Sequence, residues 1–498
     1  MNVNPITRLD YPDLDVIRVE DTYYMVSTTM HFMPGCEILQ SFDLVHWEHA
    51  TYVYETLDHT DAQQLKSGQN IYGQGMWAAS LRYHEGRFYI CFVANDTRKT
   101  YLYTSEKIDG PWKKQLIEGF YHDGSLLFDE DGRNYIVYGN DEIWITELNE
   151  DLTAPKKDGL HRLLVSDHKN PELGYEGSHI QKINGYYYIF LIHSLRDRWM
   201  RTEACFYSDS LEGEFTGGDV LCDDRGYCGQ GVAQGGIVDT PDGKWYAMLF
   251  QDSGAVGRIP ILLPVTWKDH FPFFGQNGHV PEEIEVHSTR PGYIYQPLVG
   301  SDDFCNGLLP RWQFNHDPDP RYYHLDALQG TYTITTREVC TELTQAVNTL
   351  TQRMSYPSCA AEVTVDASAL KEGDVAGLCA LQGCYAAVGI TKHHGKYEVL
   401  MLDKKEDGIL DMTERTVVES HQMDFRLEAD FCNMKDEARC YYRVNKGDWL
   451  PIGTVHKLYF KLDHFTGCRF GLFCYAAEET GGSACFRDFK YYDVDEIS

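Results

Sequence analysis

The sequence predicts an all-β chain: a five-bladed β-propeller over residues 1–297, followed by a β-sandwich of jelly-roll or lectin-like type over residues 298–498. Two observations carry this. Across the N-terminal segment a short phrase recurs five times: an apolar run, a polar two-residue turn, then an aromatic-rich apolar run. Across the C-terminal segment the phrase gives way to short alternating strands with turns at about 8–12-residue spacing and no long helical period.

The five copies span 16–27, 80–93, 125–139, 179–193 and 236–250. Each reads as a β-hairpin turning on Glu20-Asp21, Glu85-Gly86, Asp131-Gly132, Asn184-Gly185 or Asp242-Gly243. Four of these pairs end in the glycine that a tight hairpin turn favours. An aromatic follows each turn, at Tyr23, Phe88, Tyr135, Tyr187 and Trp245, with intervals of 65, 47, 52 and 58 residues. That spacing is about one four-stranded blade per copy. Outer strands are cued by Ser41-Phe42-Asp43 before Trp47, Thr104-Ser105 before Trp112, and Ser208-Asp209 before Phe215. Each ring is expected to dock under the next blade. The runs GRIPILLPVTW and DHFPFFGQNG close the propeller, and the composition shifts at Arg290-Pro291-Gly292. The sandwich is read from CAAEVTVDAS, GCYAAVGITK and YEVLML, with SACFRDFKYYDVD as its last strand. No low-complexity linker separates the halves, so firm packing between them is expected.

The repeat also locates chemistry. Stepping back 10 to 12 residues from the marker aromatics gives Asp13, Trp77, Asp123, Glu176 and Gln234. The innermost strand of every propeller blade starts at the central channel, so equivalent offsets converge. Three carboxylates, an indole and an amide at one depth make a candidate site, because like charges repel and shift each other's pKa. The plainer alternative is that the acids merely flank polar strand ends.

Composition narrows the classes. A length of 498 residues implies two or three domains, and 43% hydrophobic content supports real cores. The formal charge of −31 argues against nucleic acid and anionic membranes as partners and permits a neutral substrate. The 34 Tyr and 9 Trp suit a carbohydrate site, where rings pack on sugar C–H faces, although Tyr also suits strands. Fifteen cysteines lie scattered, with no C-x-x-C pair and no zinc-type cluster. The N-terminus lacks a signal-peptide core, and no run approaches the ~20 apolar residues of a membrane span. Reduced thiols in a cytoplasmic protein are expected. Homo-oligomerisation is left open.

The motifs, taken in order, resemble family 43 glycoside hydrolases. NPITRLDYPDLDVIRVEDTYYMVSTT is similar to that family's opening, MWAASLRYHEGRFY to its Trp-Ala-Pro motif, HDGSLLFDEDGRNYIVYG to its Asp-Pro-Ser-Leu-Phe motif, and YEGSHIQKINGYYY to its Glu-Gly-Pro motif. GIVDTPDGKWY and GAVGRIPILLPVTW match the last blade. SDDF, RWQFNH, NTLTQR and GDVAGLCALQG resemble the sandwich of the β-xylosidase and α-L-arabinofuranosidase branch. The resemblance implies an inverting, exo-acting hydrolase that releases terminal β-D-xylose, α-L-arabinofuranose or both from oligosaccharides. By position, it implies Asp13 as general base, Glu176 as general acid, and Asp123 as the residue that orients the acid and tunes its pKa. An inverting site needs two opposed carboxyl groups ~6.5–9.5 Å apart, with room for water.

The chain departs from the pattern in places. Tyr-Pro-Asp-Leu stands for Tyr-Pro-Asp-Pro, Asp-Gly-Ser for Asp-Pro-Ser, Glu-Gly-Ser for Glu-Gly-Pro, and Ala79 for the Pro after Trp-Ala. Asp15 lies two residues past Asp13 and, in a strand, would point to the same side, so it competes with Asp13 as the base. Trp77 is expected as a wall of the sugar pocket. Arg258 matches the family's arginine that reaches substrate hydroxyls and offsets the acids. His31, Phe32 and Met33 lie on a loop that shapes the pocket in the family. Gln234 occupies a position often filled by His, where it can border water or a calcium ion in the channel. No cofactor is required for the chemistry. Two other readings are a retaining fructan hydrolase, whose signatures are absent, and a sugar-binding propeller without activity.

Overall fold

The computed structural model describes residues 2–493. Each repeated phrase forms a hairpin at the inner side of a four-stranded antiparallel sheet, and there are five such sheets. Their innermost strands are Asp15–Val19, Met76–His84, Ser125–Phe128, Glu176–Ile183 and Val232–Asp239. These belong to blades 1 to 5 in chain order. The turn residues Glu20, Glu85 and Asn184 take left-handed φ of 55°, 47° and 50°, the twist that two-residue hairpins require.

Alternation along the strands puts apolar side chains on both faces of each blade, and five hydrophobic clusters fill the wedges between neighbours. Trp47 packs at the seam of blades 5 and 1, Trp112 at that of blades 1 and 2, and Phe215 at that of blades 3 and 4. Each ring therefore docks against the preceding blade, not the next one. The outer strand of a twisted blade leans back over its predecessor. The propeller closes through the N-terminus. Asn2–Val3 pairs with Glu283–Ile284, and the Asn4 amide donates to the carbonyls of Leu262 (2.7 Å) and Pro281 (2.9 Å).

A polar girdle ties the blades together around the channel. The Asp15 carboxylate of blade 1 accepts from Arg82 of blade 2 at 2.7 Å. Arg82 also donates to Ser125 of blade 3 (2.7 Å) and to the Ile180 carbonyl of blade 4 (3.1 Å). Gln181 donates to the Ile237 carbonyl of blade 5 at 2.8 Å, and Arg18 pairs with Asp239 to return to blade 1.

The second domain is a sandwich of an eight-stranded and a seven-stranded sheet. The last four-stranded blade ends at Phe271–Phe274, and the first sandwich pairing joins Asp302 to Phe489. The expected boundary at 297/298 lies between these two points. One piece of the propeller crosses it. Phe32–Met33 pairs with Gln313–Asn315 and forms the edge strand of the eight-stranded sheet. The sandwich core in turn takes in Ala255, Val256 and Ile259. Between the domains, Arg353 of the sandwich is buried against Glu37 of blade 1 (2.8 Å), the Asp10 carbonyl (2.9 Å) and the Tyr11 ring (4.1 Å).

Breaking a buried ion pair from one side strands the other charge, at a cost of about 3–5 kcal/mol. Arg353→Met should therefore lower the thermal midpoint sharply and should do so for propeller and sandwich together. Calorimetry of the full chain checks this: the expected result is one shifted transition, and two separated transitions would contradict the coupled interface.

Candidate active site

The offset residues do converge. Asp13, Trp77, Asp123, Glu176, Gln234 and Arg258 line one cavity of about 600 Å³ at the channel mouth. The backbone explains why. Asp13, Asp123 and Gln234 take left-handed φ of 51°, 48° and 61°, and Gly177, next to Glu176, has φ 65°. The strand pairing slips by a bulge at Met76/Ala79, Glu176/His179 and Ala233/Gly236. A bulge or a left-handed residue interrupts the strand period and re-aims the side chain, so each blade turns one residue near the start of its inner strand into the cavity. Gly177 suits this position, since a Cβ at its φ of 65° would meet the Gln234 side chain at 2.8 Å.

Each carboxylate has its own partners. Asp13 accepts from Arg258 Nη1 at 2.8 Å and from Thr28 Oγ1 at 2.8 Å. Asp123 Oδ2 accepts the Gly177 N–H at 2.9 Å, which links it to the residue after Glu176. Glu176 Oε2 accepts from Asn140 Nδ2 at 2.7 Å. His122 Nε2 stands 3.5 Å from Asp123 Oδ2 and 3.8 Å from Glu176 Oε2. The Asp123 carboxylate next to it is the main cause that raises the His122 imidazole to about 9; Glu176 adds to the shift, and burial works against it. Burial pushes the Asp123 carboxyl up to about 6, helped by Glu176 and Asp13, while the His122 cation pulls it back.

Asp15 is elsewhere. The left-handed backbone at Asp13 breaks the strand rule, so the two side chains do not share a side. Asp15 is fully buried below the cavity, with Oδ1 facing His179 Nδ1 at 3.1 Å and Oδ2 accepting from Arg82 and from the Leu81 N–H at 2.8 Å. Burial alone would raise this carboxyl, but Arg82 and His179 outweigh it and hold it at about 2. The Asp15–Arg82–His179 set thus belongs to the girdle that ties the blades together and does not line the cavity.

The loop 31–33 corrects another expectation. His31, Phe32 and Met33 are buried and do not line the cavity. Phe32 and Met33 are committed to the sandwich sheet, with the Arg469 guanidinium 3.5 Å over the Phe32 ring, and His31 packs among Phe32, Tyr72, His316 and His464. The wall they were expected to form comes from the sandwich: Met434, Phe460, Lys461, Leu462 and Phe465. Phe465 packs on Trp77 (5.6 Å) and under the Arg258 guanidinium (4.3 Å). On the propeller side, Asn140, Trp199, Arg201 and Asp252 are also among the lining residues, with Arg201 paired to Asp252 at 3.2 Å. Trp77 Nε1, Arg258 Nε and Asp252 Oδ1 are buried without a hydrogen-bond partner.

His122 and Asn140 escaped sequence reasoning. His122 directly precedes Asp123, and Asn140 ends the strand Asn134–Asn140 that leaves the blade-3 hairpin, so both were adjacent to motifs already in view.

Comparison with known proteins follows the same lines. The model of glycosyl hydrolases family 43 matches residues 3–272, and that of the beta xylosidase C-terminal concanavalin A-like domain matches residues 301–492. A beta-xylosidase of Formosa agariphila is 27% identical over 99% of this chain and 89% of its own length. Among solved structures, a bifunctional GH43-CE protein of Bacteroides eggerthii superposes with a TM-score of 0.92 at 42% identity, over 100% of this chain. This chain spans only 64% of that protein. A GH43 glycoside hydrolase engineered for both endo-xylanase and exo-arabinofuranosidase activity superposes with a TM-score of 0.89 at 27% identity, over 99% of both chains.

Asp15 and Glu176 should respond differently to mutation. Asp15→Asn leaves Arg82 and His179 under-compensated at full burial and is expected to cost about 3–5 kcal/mol, whereas Glu176→Gln should stay within about 0.5 kcal/mol. Because the folded pKa of Asp15 is depressed, its contribution is complete above about pH 4 and fades as the pH falls towards 2. Denaturant titrations of both variants at neutral and acidic pH check this, and equal losses would contradict the assignment of Asp15 to structure.

Proposed function

The chain belongs to glycosyl hydrolases family 43, and from that membership we propose that it is an exo-acting, inverting glycosidase that removes terminal β-D-xylose, α-L-arabinofuranose or both from short oligosaccharides. The observation that carries the reading is the meeting of Asp13, Asp123 and Glu176 in one cavity, on three blades that are far apart in sequence. The cavity is walled on one side by the sandwich, which favours a chain end over a mid-chain site. The names of the relatives agree with a pentose at that end.

In this reading the terminal sugar lies against Trp77 and Phe465, with its hydroxyls towards Arg258. Asp13, held by Arg258 and Thr28, takes a proton from the attacking water as the water adds to the anomeric carbon. Glu176, held by Asn140, gives a proton to the leaving oxygen as the glycosidic bond breaks. Asp123 fixes the Gly177 backbone and so the rotamer space of Glu176. General acid and base groups of this kind contribute about 10²–10⁴-fold each.

A calcium ion in the channel beside Gln234, which lines the cavity, stays part of this proposal. No step is assigned to a metal. Among the described residues no helix is long and apolar enough to cross a membrane. All fifteen cysteines stand as thiols, which favours a reducing compartment, and we retain the cytoplasm as the proposed location.

The direct test compares nitrophenyl β-D-xyloside with nitrophenyl α-L-arabinofuranoside, with and without chelator. Hydrolysis of at least one, unaffected by chelator, is expected. Glu176→Gln should lose about 10²-fold or more in kcat and keep its affinity for xylose. A wild-type protein that binds the sugars and turns over neither glycoside would make it a binding module instead.

A further inference from the structure

We propose that His122 supplies the proton that Glu176 delivers to the leaving oxygen, acting through Glu176 and not on the sugar. The proposal rests on the glycosidase reading above with Glu176 as the acid. Its basis is geometric. His122 Nε2 faces Asp123 Oδ2 (3.5 Å) and Glu176 Oε2 (3.8 Å), with the Trp77 ring 5.9 Å from its own and Asn140 on the Glu176 oxygen. The one imidazole nitrogen therefore stands between the two carboxyl groups whose protonation decides whether an acid is available.

The charges around it restrict the proton count. Asp123 lies on the same blade as His122, Glu176 on blade 4 and Asp13 on blade 1. Arg258 of blade 5 is spent on Asp13, Arg201 of blade 4 on Asp252, and Lys461 of the sandwich on Glu406. Two carboxylates and an imidazole thus share one site with no other free cation facing them among the described lining residues. The Asp123 carboxylate beside it raises the imidazole, so His122 holds a proton in the free enzyme, and Glu176 Oε2 is the acceptor that faces it from blade 4. When a sugar fills the cavity and expels water, the charge-separated arrangement loses its solvation, and the isomer with neutral imidazole and neutral Glu176 gains.

The step balances. The His122 Nε2–H bond breaks and a Glu176 Oε2–H bond forms, across a gap that a side-chain rotation or one bridging water closes. That O–H then breaks as the leaving oxygen takes the proton and the glycosidic bond opens. Water adds its oxygen to the anomeric carbon and its proton to Asp13. Release of the Asp13 proton to solvent and uptake of one by His122 restore the start. The relay extends activity to alkaline pH, because the store of the proton is an imidazole and not a carboxyl group.

The test uses His122→Asn and His122→Gln in the full chain, with two aglycones. Xylobiose needs an acid to expel its leaving group, whereas dinitrophenyl xyloside does not. On xylobiose the variants should lose about 10²-fold in kcat above neutral pH, and the alkaline limb of kcat/KM should move down by more than about one pH unit. On dinitrophenyl xyloside they should stay within about threefold of the wild type. Equal losses on both substrates, or an unmoved alkaline limb, would overturn the relay while leaving the glycosidase intact. A wild-type enzyme that cleaves neither substrate would overturn the parent reading and the relay with it. If both variants misfold, imidazole NMR of the wild type decides. His122 should be protonated in the free enzyme near neutral pH and neutral once a thio-linked, non-hydrolysable xylo-oligosaccharide is bound. A His122 that keeps its proton in that complex contradicts the proposal.

Discussion

Three carboxylates crowd the mouth of one channel, and their mutual repulsion is the constraint around which the molecule is arranged. Each is offset in a different way. Arg258 is buried facing Asp13 and the ring of Phe465. A backbone N–H meets Asp123, an amide meets Glu176, and one imidazole stands between the two. A fourth acid, Asp15, lies deeper and is fully compensated by Arg82 and His179, which takes it out of the reacting set. The charge is therefore compensated piecewise, so that carboxyl groups in contact with the same cavity keep different environments. Acid and base chemistry from identical functional groups depends on such a difference.

The sandwich belongs to the same arrangement. Arg258 has Phe465 beside its guanidinium, and Asp10 accepts from both the Arg258 N–H (2.7 Å) and the Gly467 N–H (2.8 Å). One propeller carboxylate thus fixes the arginine of the site and the sandwich loop that walls it. Gly257 makes this approach possible: its φ is 106°, and a Cβ there would lie 2.3 Å from Asp10 Oδ1. The donated strand Phe32–Met33 locks the two domains from the other side. A cavity shared by two domains holds its shape only if they move as one body, and these contacts supply that rigidity.

Much of this was legible in the sequence, because the two signals involved are local. A period of two with a glycine turn specifies a hairpin, and five hairpins at blade spacing specify a propeller. The convergence of Asp13, Asp123, Glu176, Trp77 and Gln234 follows from that closed ring of blades. What was not legible depends on long-range packing or on single backbone angles. His31, Phe32 and Met33 look like any apolar loop, and only the partner strand Gln313–Asn315 shows that they belong to the sandwich. The wall residues Phe460, Leu462 and Phe465 carry no period. Asp13 and Asp15 could not be separated by strand alternation because the left-handed φ at Asp13 suspends it. His122 reads as a lone histidine until its distances to two carboxyl groups are known.

If water attacks from the Asp13 side while Glu176 protonates the opposite side, the stereochemistry of the first-formed product reports it directly. Proton NMR during hydrolysis of a β-xyloside should show α-xylopyranose appearing first, with the β anomer growing only at the rate of mutarotation. Initial release of the β anomer would mean that a carboxylate attacks carbon, and the assignment of Asp13 as a base would be wrong.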